Sequence, residues 1–356
     1  MKQARGFILF MLAASTCPQD LPRWELGPFT RGDDPKPILG PNLTAAWEAG
    51  GVSSPSAITR DGKVYLFYAA TDKSVWRIGL ATSADGRAFE RAPHPVLAPS
   101  TDPQRLAELK GGCDAPRVVA TEQGVYVMSY IQHGERGSRI AIASSRDLLK
   151  WHKHGPALGE APLPSPGAGV IVSRLVNGKA VAAQIGGRYW MFWGAGKINL
   201  AASTDLARWT NVAEAVLAPR KDEFDADALS PGAALITERG LLLIYHGRAG
   251  NITCTGQALF DPTQPTRLLL RSRLPTLRPQ MPFERPRKGP AVTAITAVLP
   301  LQEKWLAYYS TAAGYIGLAA FDPAEYWAAR NPGLAEPQEP ATLPVSRTPP
   351  TAPPVS

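Results

Sequence analysis

The sequence predicts an all-β protein folded as a five-bladed β-propeller, because its apolar runs repeat at a nearly constant spacing. A run of aromatic and apolar residues occurs five times, and each run is followed by a second run of small apolar residues. The aromatic residues that end the first runs are 62, 63, 52 and 64 residues apart: Tyr68, Tyr130, Trp193, Tyr245 and Tyr309. A repeat of this size is typical of an array of like supersecondary units.

The first repeat shows how one unit is predicted to fold. Residues 64–68 are rich in aromatic and β-branched side chains and follow Asp61-Gly62, which is typical of a strand leaving a tight turn. Residues 78–82 predict a second strand, and residues 83–89 predict a turn into a third. A unit of several antiparallel strands follows from this pattern.

A serine followed two residues later by an aspartate begins this turn in three units, at Asp85, Asp147 and Asp205. An exposed carboxylate could act on a substrate, but aspartates also cap their own turns by accepting hydrogen bonds from nearby amides. A catalytic group is needed only once, whereas this motif recurs. We therefore predict that these aspartates are structural.

The length and net charge of the chain limit the number of domains and the kinds of partner that we expect. The repeat spans most of the 356 residues, so we expect one large β domain over residues 18–330. The net charge is +8, but the basic residues are scattered except in residues 267–288, and no nucleic-acid module is present. We expect no nucleic-acid partner. The positive charge would suit phosphate or an anionic sugar equally well.

Both ends of the chain differ from the repeats. Lys2 and Arg5 precede an apolar stretch, which predicts an export or lipoprotein signal over residues 1–17, with Cys17 as a candidate lipid anchor. Export is expected, with a cytoplasmic location as the alternative, and no other stretch could span a membrane. Residues 331–356 contain eight prolines and predict a disordered or polyproline tail.

Several ordered motifs resemble glycoside hydrolase family 130, the β-mannoside phosphorylases and mannosidases built on a five-bladed propeller. They occur at compatible spacing between about Trp24 and Asp322. The matching segments are residues 24–29, 37–41, 79–86, 112–118, 187–194, 243–247, 256–261 and 271–279. The resemblance implies a protein that acts on or binds β-linked mannosides or a related glycan, at the central depression of the propeller.

Four positions depart from the pattern of that family. Its general acid is an Asp directly before Pro, whereas Ala115 stands there and Asp114 lies one residue earlier. Ser54, Ala69 and Ser230 replace an Asn, an Arg and a Glu. Small residues therefore occupy four positions that are polar or charged in the family.

Seven residues remain as candidates for the site, each with a structural alternative. Asp114 is the candidate general acid, since related propeller glycosidases place their acid at the same offset before Pro; the alternative is a turn cap. Candidate substrate-binding residues are Arg117, Asp225, Asp227 and Trp76, and candidate phosphate-binding residues are Arg139 and His246. Ion pairing, solvated loops and packing are the alternative roles for these six.

Two functions remain open at this stage. One is an inverting glycosidase or phosphorylase with Asp114 as its acid, and the other is a propeller that binds glycans without cleaving them. We expect an oligosaccharide or glycan as partner, no metal, and no cofactor other than inorganic phosphate as co-substrate of a phosphorylase. The sugar, the linkage, the oligomeric state and the pairing of Cys113 with Cys254 stay open.

Overall fold

The computed structural model describes residues 24–100, 111–135, 137–163 and 166–330. This part of the chain contains 23 strands, one short 3-10 helix, η1, and one α-helix, α1 (Pro323–Arg330). The predicted all-β class is confirmed. The predicted leader, with Cys17, and the predicted proline-rich tail lie outside the described residues. None of the described helices is long and apolar enough to cross a membrane.

Mainly antiparallel pairing groups the described strands into five units that follow one another along the chain. The first contains β1 (Gly51–Arg60), β2 (Lys63–Thr71), β3 (Trp76–Ser83) and β4 (Glu90–Arg91), after η1 (Ala46–Glu48). The second contains β5 (Gly112–Ala120), β6 (Tyr126–Gly134), β7 (Gly137–Ser145) and β8 (His152–Pro156).

The third unit carries an additional hairpin. It contains β9 (Val170–Ile171), β12 (Gln184–Ile185), β13 (Arg188–Trp193), β14 (Ile198–Ser203) and β15 (Thr210–Leu217). The hairpin β10 (Ser173–Val176) and β11 (Lys179–Ala182) lies between β9 and β12. It pairs with β5 on one side and with the first strand of the fourth unit on the other, so it joins three units.

The last two units complete the array. The fourth contains β16 (Ala228–Thr237), β17 (Gly240–Ala249), β18 (Ile252–Phe260), β19 (Leu268–Arg271) and β20 (Ala291–Val292). The fifth contains β21 (Ala294–Leu301), β22 (Lys304–Ser310) and β23 (Ile316–Phe321). The N-terminal segment adds bridges from Thr30 and Leu39 to β23, which extends the fifth unit.

The predicted turns have the expected local chemistry. Asp61 and Gly62 have φ of 51° and 74°, the geometry of a tight hairpin turn whose twist matches the flanking strands. Asp85 Oδ1 accepts hydrogen bonds from the amides of Arg87 (2.8 Å) and Ala88 (2.9 Å), and these bonds lower its pKa to about 2. Asp147 and Asp205 make the same bonds, so the structural interpretation of this motif is confirmed.

Hydrogen bonds link consecutive units, and the fifth unit contacts the first. Hydrophobic clusters also fill the spaces between neighbouring units. The links, in chain order, are Val118 N to Ser56 Oγ, Ser129 Oγ to Gly169 O, the Gly196–Leu229 bridge, His246 Nε2 to Ile295 O, and Thr296 Oγ1 to Pro55 O. Parts of β1, β5, β9, β16 and β21 surround a central cavity of only about 50 Å³.

The first strands of four units are bulged near their beginnings. The register shifts between Ser53 and Ser56, Asp114 and Arg117, Pro231 and Ala233, and Ile295 and Ala297. Ser54 and Ala115, each followed by proline, have φ of 52° and 50° within these bulges. A bulge redirects the side chains next to it. We call the end of the units at which β1, β5, β16 and β21 begin the entry end.

Three of the repeated tyrosines are anchored in one way. Each hydroxyl donates to a buried carboxylate that also binds an arginine, and the guanidinium lies over the tyrosine ring. The three sets are Tyr68, Glu48 and Arg91; Tyr245, Asp225 and Arg271; and Tyr309, Glu284 and Arg31. The recurring aromatic residue is therefore a packing and anchoring position.

Candidate active site

Asp114 lies at the entry end of β5, immediately before the bulge. Its Oδ1 accepts a hydrogen bond from the amide of Ala115 at 2.5 Å, and its Oδ2 lies 3.5 Å from His133 Nε2. The Asp114 side chain is 21% exposed, so it can contact a ligand without being fully solvated. The capping alternative and the acid alternative are both compatible with this position, because only one oxygen binds the adjacent amide.

His133 and Ser138 were missed by the sequence reasoning. Gly112, His133 and Ser138 are paired across β5, β6 and β7, and His133 Nδ1 lies 2.8 Å from Ser138 Oγ. A serine that donates to Nδ1 leaves Nε2 as the N–H that faces Asp114. The signal available in the sequence was register: a hairpin joining the predicted strands places His133 opposite the glycine two residues before Asp114.

Arg117 is brought close to Asp114 but points into the centre of the molecule. Its Nε donates to Gly232 O at 3.1 Å and its Nη1 donates to Pro116 O at 2.7 Å. Burial lowers its pKa to about 10, while the Asp114 carboxylate acts in the opposite direction. The guanidinium therefore stays charged at neutral pH, and it cross-links β5 to β16.

His246 is engaged on both ring nitrogens. Nδ1 lies 3.1 Å from Ser230 Oγ, and Nε2 lies 2.8 Å from the carbonyl oxygen of Ile295. The carbonyl can only accept, so Nε2 carries the proton and the serine hydroxyl donates to Nδ1. Burial lowers the pKa of His246 to about 4, which makes the ring neutral near pH 7. This arrangement leaves neither nitrogen for the phosphate that the sequence assigned to it.

The two aspartates of the fourth unit are separated by their burial. Asp225 is 0% exposed and accepts from Arg220, Tyr245 and Arg271, so its carboxylate is part of the anchoring set described above rather than of a ligand surface. Asp227 is exposed directly before β16, and its Oδ2 accepts from the amide of Gly250 at 2.7 Å. Only Asp227 of this pair has an oxygen open at the entry end.

Trp76 and Arg139 flank Asp114 and its histidine. Trp76 is the half-buried first residue of β3 and is paired with Gly112 of β5. The two backbones are so close that a Cβ at Gly112 would lie 2.0 Å from the Trp76 carbonyl oxygen. Arg139 follows Ser138 and donates through Nε to Glu160 O at 2.6 Å. Both predicted residues therefore belong to the same neighbourhood as Asp114, although Arg139 has one donor already in use.

The four substituted positions lie around the same end of the molecule. Ser54 and Ala115 occupy the bulges, Ser230 contacts His246, and Ala69 is completely buried in β2. The Ser54 amide donates to Ser310 Oγ at 2.7 Å, which ties the first unit to the fifth. Asp114 is the carboxylate that directly precedes the bulge of β5.

Neither cysteine pairing nor metal binding is seen in the described part of the chain. Cys113 and Cys254 are both buried and no disulfide joins them, so the pairing left open by the sequence does not occur. No group of three or more His, Cys, Asp or Glu side chains among these residues could hold a metal ion. A recess of about 700 Å³ lies at the opposite end, lined by hairpin turns such as Asp61–Gly62, and contains none of the predicted site residues.

Comparison with known proteins identifies the family. The family model for glycoside hydrolase family 130, described as beta-1,4-mannooligosaccharide phosphorylase, matches residues 55–326. A 1,2-beta-oligomannan phosphorylase of Thermoanaerobacter sp. (strain X514) is 30% identical over 300 residues, which cover 81% of this chain and 95% of that protein.

Solved structures agree with this assignment. A glycosyl hydrolase from Bacteroides ovatus has a TM-score of 0.81 and 33% identity, covering 86% of this chain and 96% of that chain. The same values apply to a structure from work showing that the GH130 family of mannoside phosphorylases contains glycoside hydrolases that target beta-1,2 mannosidic linkages in Candida mannan. This chain belongs to glycoside hydrolase family 130.

Proposed function

We propose that this protein is a β-mannoside-cleaving enzyme in which Asp114 is the general acid and water is the attacking nucleophile. The observation that carries the proposal is the position of Asp114 at the entry end, with one carboxylate oxygen facing His133 and 21% of its side chain exposed. A general acid must reach the leaving oxygen while staying partly shielded from water, and this environment meets both needs. Membership of family 130 supports the substrate class.

Water is favoured over phosphate by the state of His246. Phosphate binding requires cationic or N–H donors directed at its oxygens. His246 is neutral near pH 7 and its single N–H is used by Ile295 O, while Arg117 donates to two backbone carbonyls. The similarity to a structure described among family 130 hydrolases at 33% identity points the same way.

Asp227 is the proposed second carboxylate. Inverting hydrolysis needs a base on the other side of the sugar to activate water. Asp227 is the exposed aspartate where β16 begins, and the amide of Gly250 holds one of its oxygens. Half-buried Trp76, at the beginning of β3, would contact the sugar ring.

The proposal includes the arrangement of the domain. We infer that the five units are the five blades of a propeller spanning residues 18–330, because consecutive units are linked in order and the fifth bonds to the first through Thr296 and Pro55. The active site then lies at the entry end of the axis, beside the bulges of the first strands. Export through residues 1–17 is part of the same proposal, since Lys2 and Arg5 precede an apolar stretch.

Binding without cleavage is the second candidate function. It is favoured by the bond between Asp114 Oδ1 and the amide of Ala115, which is the contact of a turn cap. It is favoured also by Ala115 itself, since a methyl group stands where the family has its acid. A binding protein of this kind would retain affinity for mannosides in the complete absence of turnover.

The deciding experiment is an assay of β-1,2- and β-1,4-mannobiose and their longer oligomers, with and without inorganic phosphate. Release of free mannose at the same rate in both conditions supports the hydrolase. Mannose 1-phosphate formed only with phosphate would contradict the choice of water. Binding measured by calorimetry without any product would favour the second candidate.

A further inference from the structure

A second recess opens at the entry end of the fourth unit, outside the neighbourhood of Asp114. Its volume is about 450 Å³, within the size range of small-molecule sites. Ala249 and Ile252 line it, and these residues are paired where β17 ends and β18 begins. Because Ala228, the first residue of β16, pairs with Arg248, the recess lies on the same end of the molecule as Asp227.

Three arginines, Arg273, Arg278 and Arg285, line this recess and are exposed. Throughout residues 24–100, 111–135, 137–163 and 166–330, no carboxylate is ion-paired with any of them. Arg31, by contrast, is bound to the buried Glu284. Three unpaired guanidinium groups around one cavity would repel each other, so the arrangement favours an anionic ligand.

Arg278 and the buried Cys254 both line the recess. The charge of Arg278 lowers the pKa of the Cys254 thiol. Burial still dominates there and raises the pKa of that thiol to about 11, so the cysteine remains neutral. The guanidinium therefore keeps its charge available for another group.

The other walls suit a sugar ring and its hydroxyls. Ile252 and Leu274 are 46% and 51% exposed, which is apolar surface of the kind that contacts the C–H face of a sugar. Two carboxylates, Asp222 and Glu223, also line the recess and can accept hydrogen bonds from hydroxyls. The three guanidinium groups outnumber them, so the lining keeps a net positive charge.

We propose that this recess binds a sugar that carries an oxyanion, a carboxylate or a phosphate, on a glycan held by the same protein. The proposal rests on the proposed function for the glycan, but the recess itself is separate from the cleavage site. It places the anion-binding charge elsewhere than at Arg139 and His246, the phosphate-binding candidates of the sequence analysis. Arg139 already donates through Nε to a backbone carbonyl, and His246 is neutral near pH 7. By contrast, Arg273, Arg278 and Arg285 are exposed and have no ion-pair partner within the described part of the chain.

The test is calorimetric titration of the full-length protein with four probes: D-mannuronate, mannose 6-phosphate, D-mannose and inorganic phosphate. Each titration is repeated at low and high ionic strength, with the wild type and with Arg278→Gln and Arg285→Gln. Arg267→Gln is the matched control, since Arg267 is also exposed in the fourth unit but is paired with Asp261 at 3.5 Å. Neutral mannobiose turnover is measured on all variants.

We expect at least one acidic sugar to bind about tenfold more tightly than D-mannose, since hydrogen bonds between charged groups are stronger than those between neutral groups. Arg278→Gln and Arg285→Gln should each weaken this binding about tenfold, added salt should weaken it too, and the control should not change it. The affinities of D-mannuronate and mannose 6-phosphate show whether the recess prefers a carboxylate or a phosphate.

Three outcomes would overturn the inference. D-mannose could bind as tightly as the acidic sugars, or the affinity for the acidic sugars could be the same in wild type and both arginine variants. Inorganic phosphate could also bind as tightly as either acidic sugar. A lack of mannobiose turnover would contradict only the proposed cleavage, because the acidic sugars are tested by binding. Retained turnover in Arg278→Gln with lost binding would separate the two sites.

Discussion

His133 Nε2 lies 3.5 Å from Asp114 Oδ2, across two adjacent antiparallel strands, and Ser138 holds the opposite nitrogen of the same ring. Asp114 is paired with Ile131, two residues before His133, so the contact is a diagonal one on one face of the sheet. The histidine therefore orients the proposed acid, and this contact can be tested apart from the acid itself.

Replacing Asp114 with asparagine should remove the proton donor and little else. We expect kcat on a mannobiose to fall by about 10²–10⁴-fold, the range typical of a general acid, with Tm almost unchanged. Asp61→Asn is the control, because Asp61 is an exposed carboxylate in a turn at the opposite end. Wild-type turnover in the Asp114 variant would exclude this residue from the mechanism.

His133 should act by donating its Nε2–H to Asp114 Oδ2. We predict that His133→Leu lowers kcat by about tenfold, because the N–H stabilises the carboxylate that forms when Asp114 gives up its proton, and such a bond is worth about 1.5–3 kcal/mol. His133→Gln keeps a side-chain N–H donor and should restore most of the activity. Equal losses in the two variants would indicate a packing role instead.

Asp225 should be a stability residue. Its completely buried carboxylate binds Arg271 at 2.6 Å, Tyr245 at 2.7 Å and Arg220 at 2.9 Å. Removing one partner of a buried ion pair costs about 3–5 kcal/mol, and we expect Asp225→Asn to lower the free energy of unfolding by that order.

Asp227→Asn is the comparison for Asp225, since the two residues share one loop but differ in exposure. We expect it to change the unfolding free energy by less than about 0.5 kcal/mol, as for most surface substitutions, while reducing turnover. Urea unfolding of both variants supplies the stabilities. An Asp225→Asn variant with unchanged unfolding free energy and no glycan binding would show that Asp225 contacts the ligand.

His246 should make folding depend on pH. Its pKa is about 4 in the folded protein and 6.5 in the ordinary state, so the unfolded chain binds more protons between these values. Stability from His246 is therefore complete above about pH 6.5 and is lost as the pH falls toward 4, by up to about 3 kcal/mol.

Glu25 acts in the opposite direction over part of the same range. Burial raises its pKa to about 7, so its contribution weakens as the pH rises above its ordinary value of 4.5. Comparing wild type with His246→Gln isolates the histidine, since Glu25 is present in both. The difference between their unfolding free energies should shrink between pH 7 and 4, and a constant difference would disprove the assignment.

The amino-acid sequence alone was enough to predict the all-β class, the repeated strand pattern, the turn-capping aspartates and the family. These follow from local chemistry: Asp61-Gly62 adopts its hairpin turn, and Asp85 caps its own turn, through atoms only a few residues away. The sequence also shows directly that Asp114 lies two residues before Pro116. Such features need no knowledge of distant contacts.

Only the tertiary structure decided which of the candidate residues can meet a ligand. Asp225 and Asp227 are two residues apart, yet one is completely buried against Arg271, brought from 46 residues away, and the other is exposed. His246 is neutral because packing between units buries it, although its hydrogen bond to Ile295 O of the fifth unit raises its pKa. Burial, hydrogen-bond partners and pKa all depend on contacts between units, and the sequence pattern contains no direct signal for those contacts.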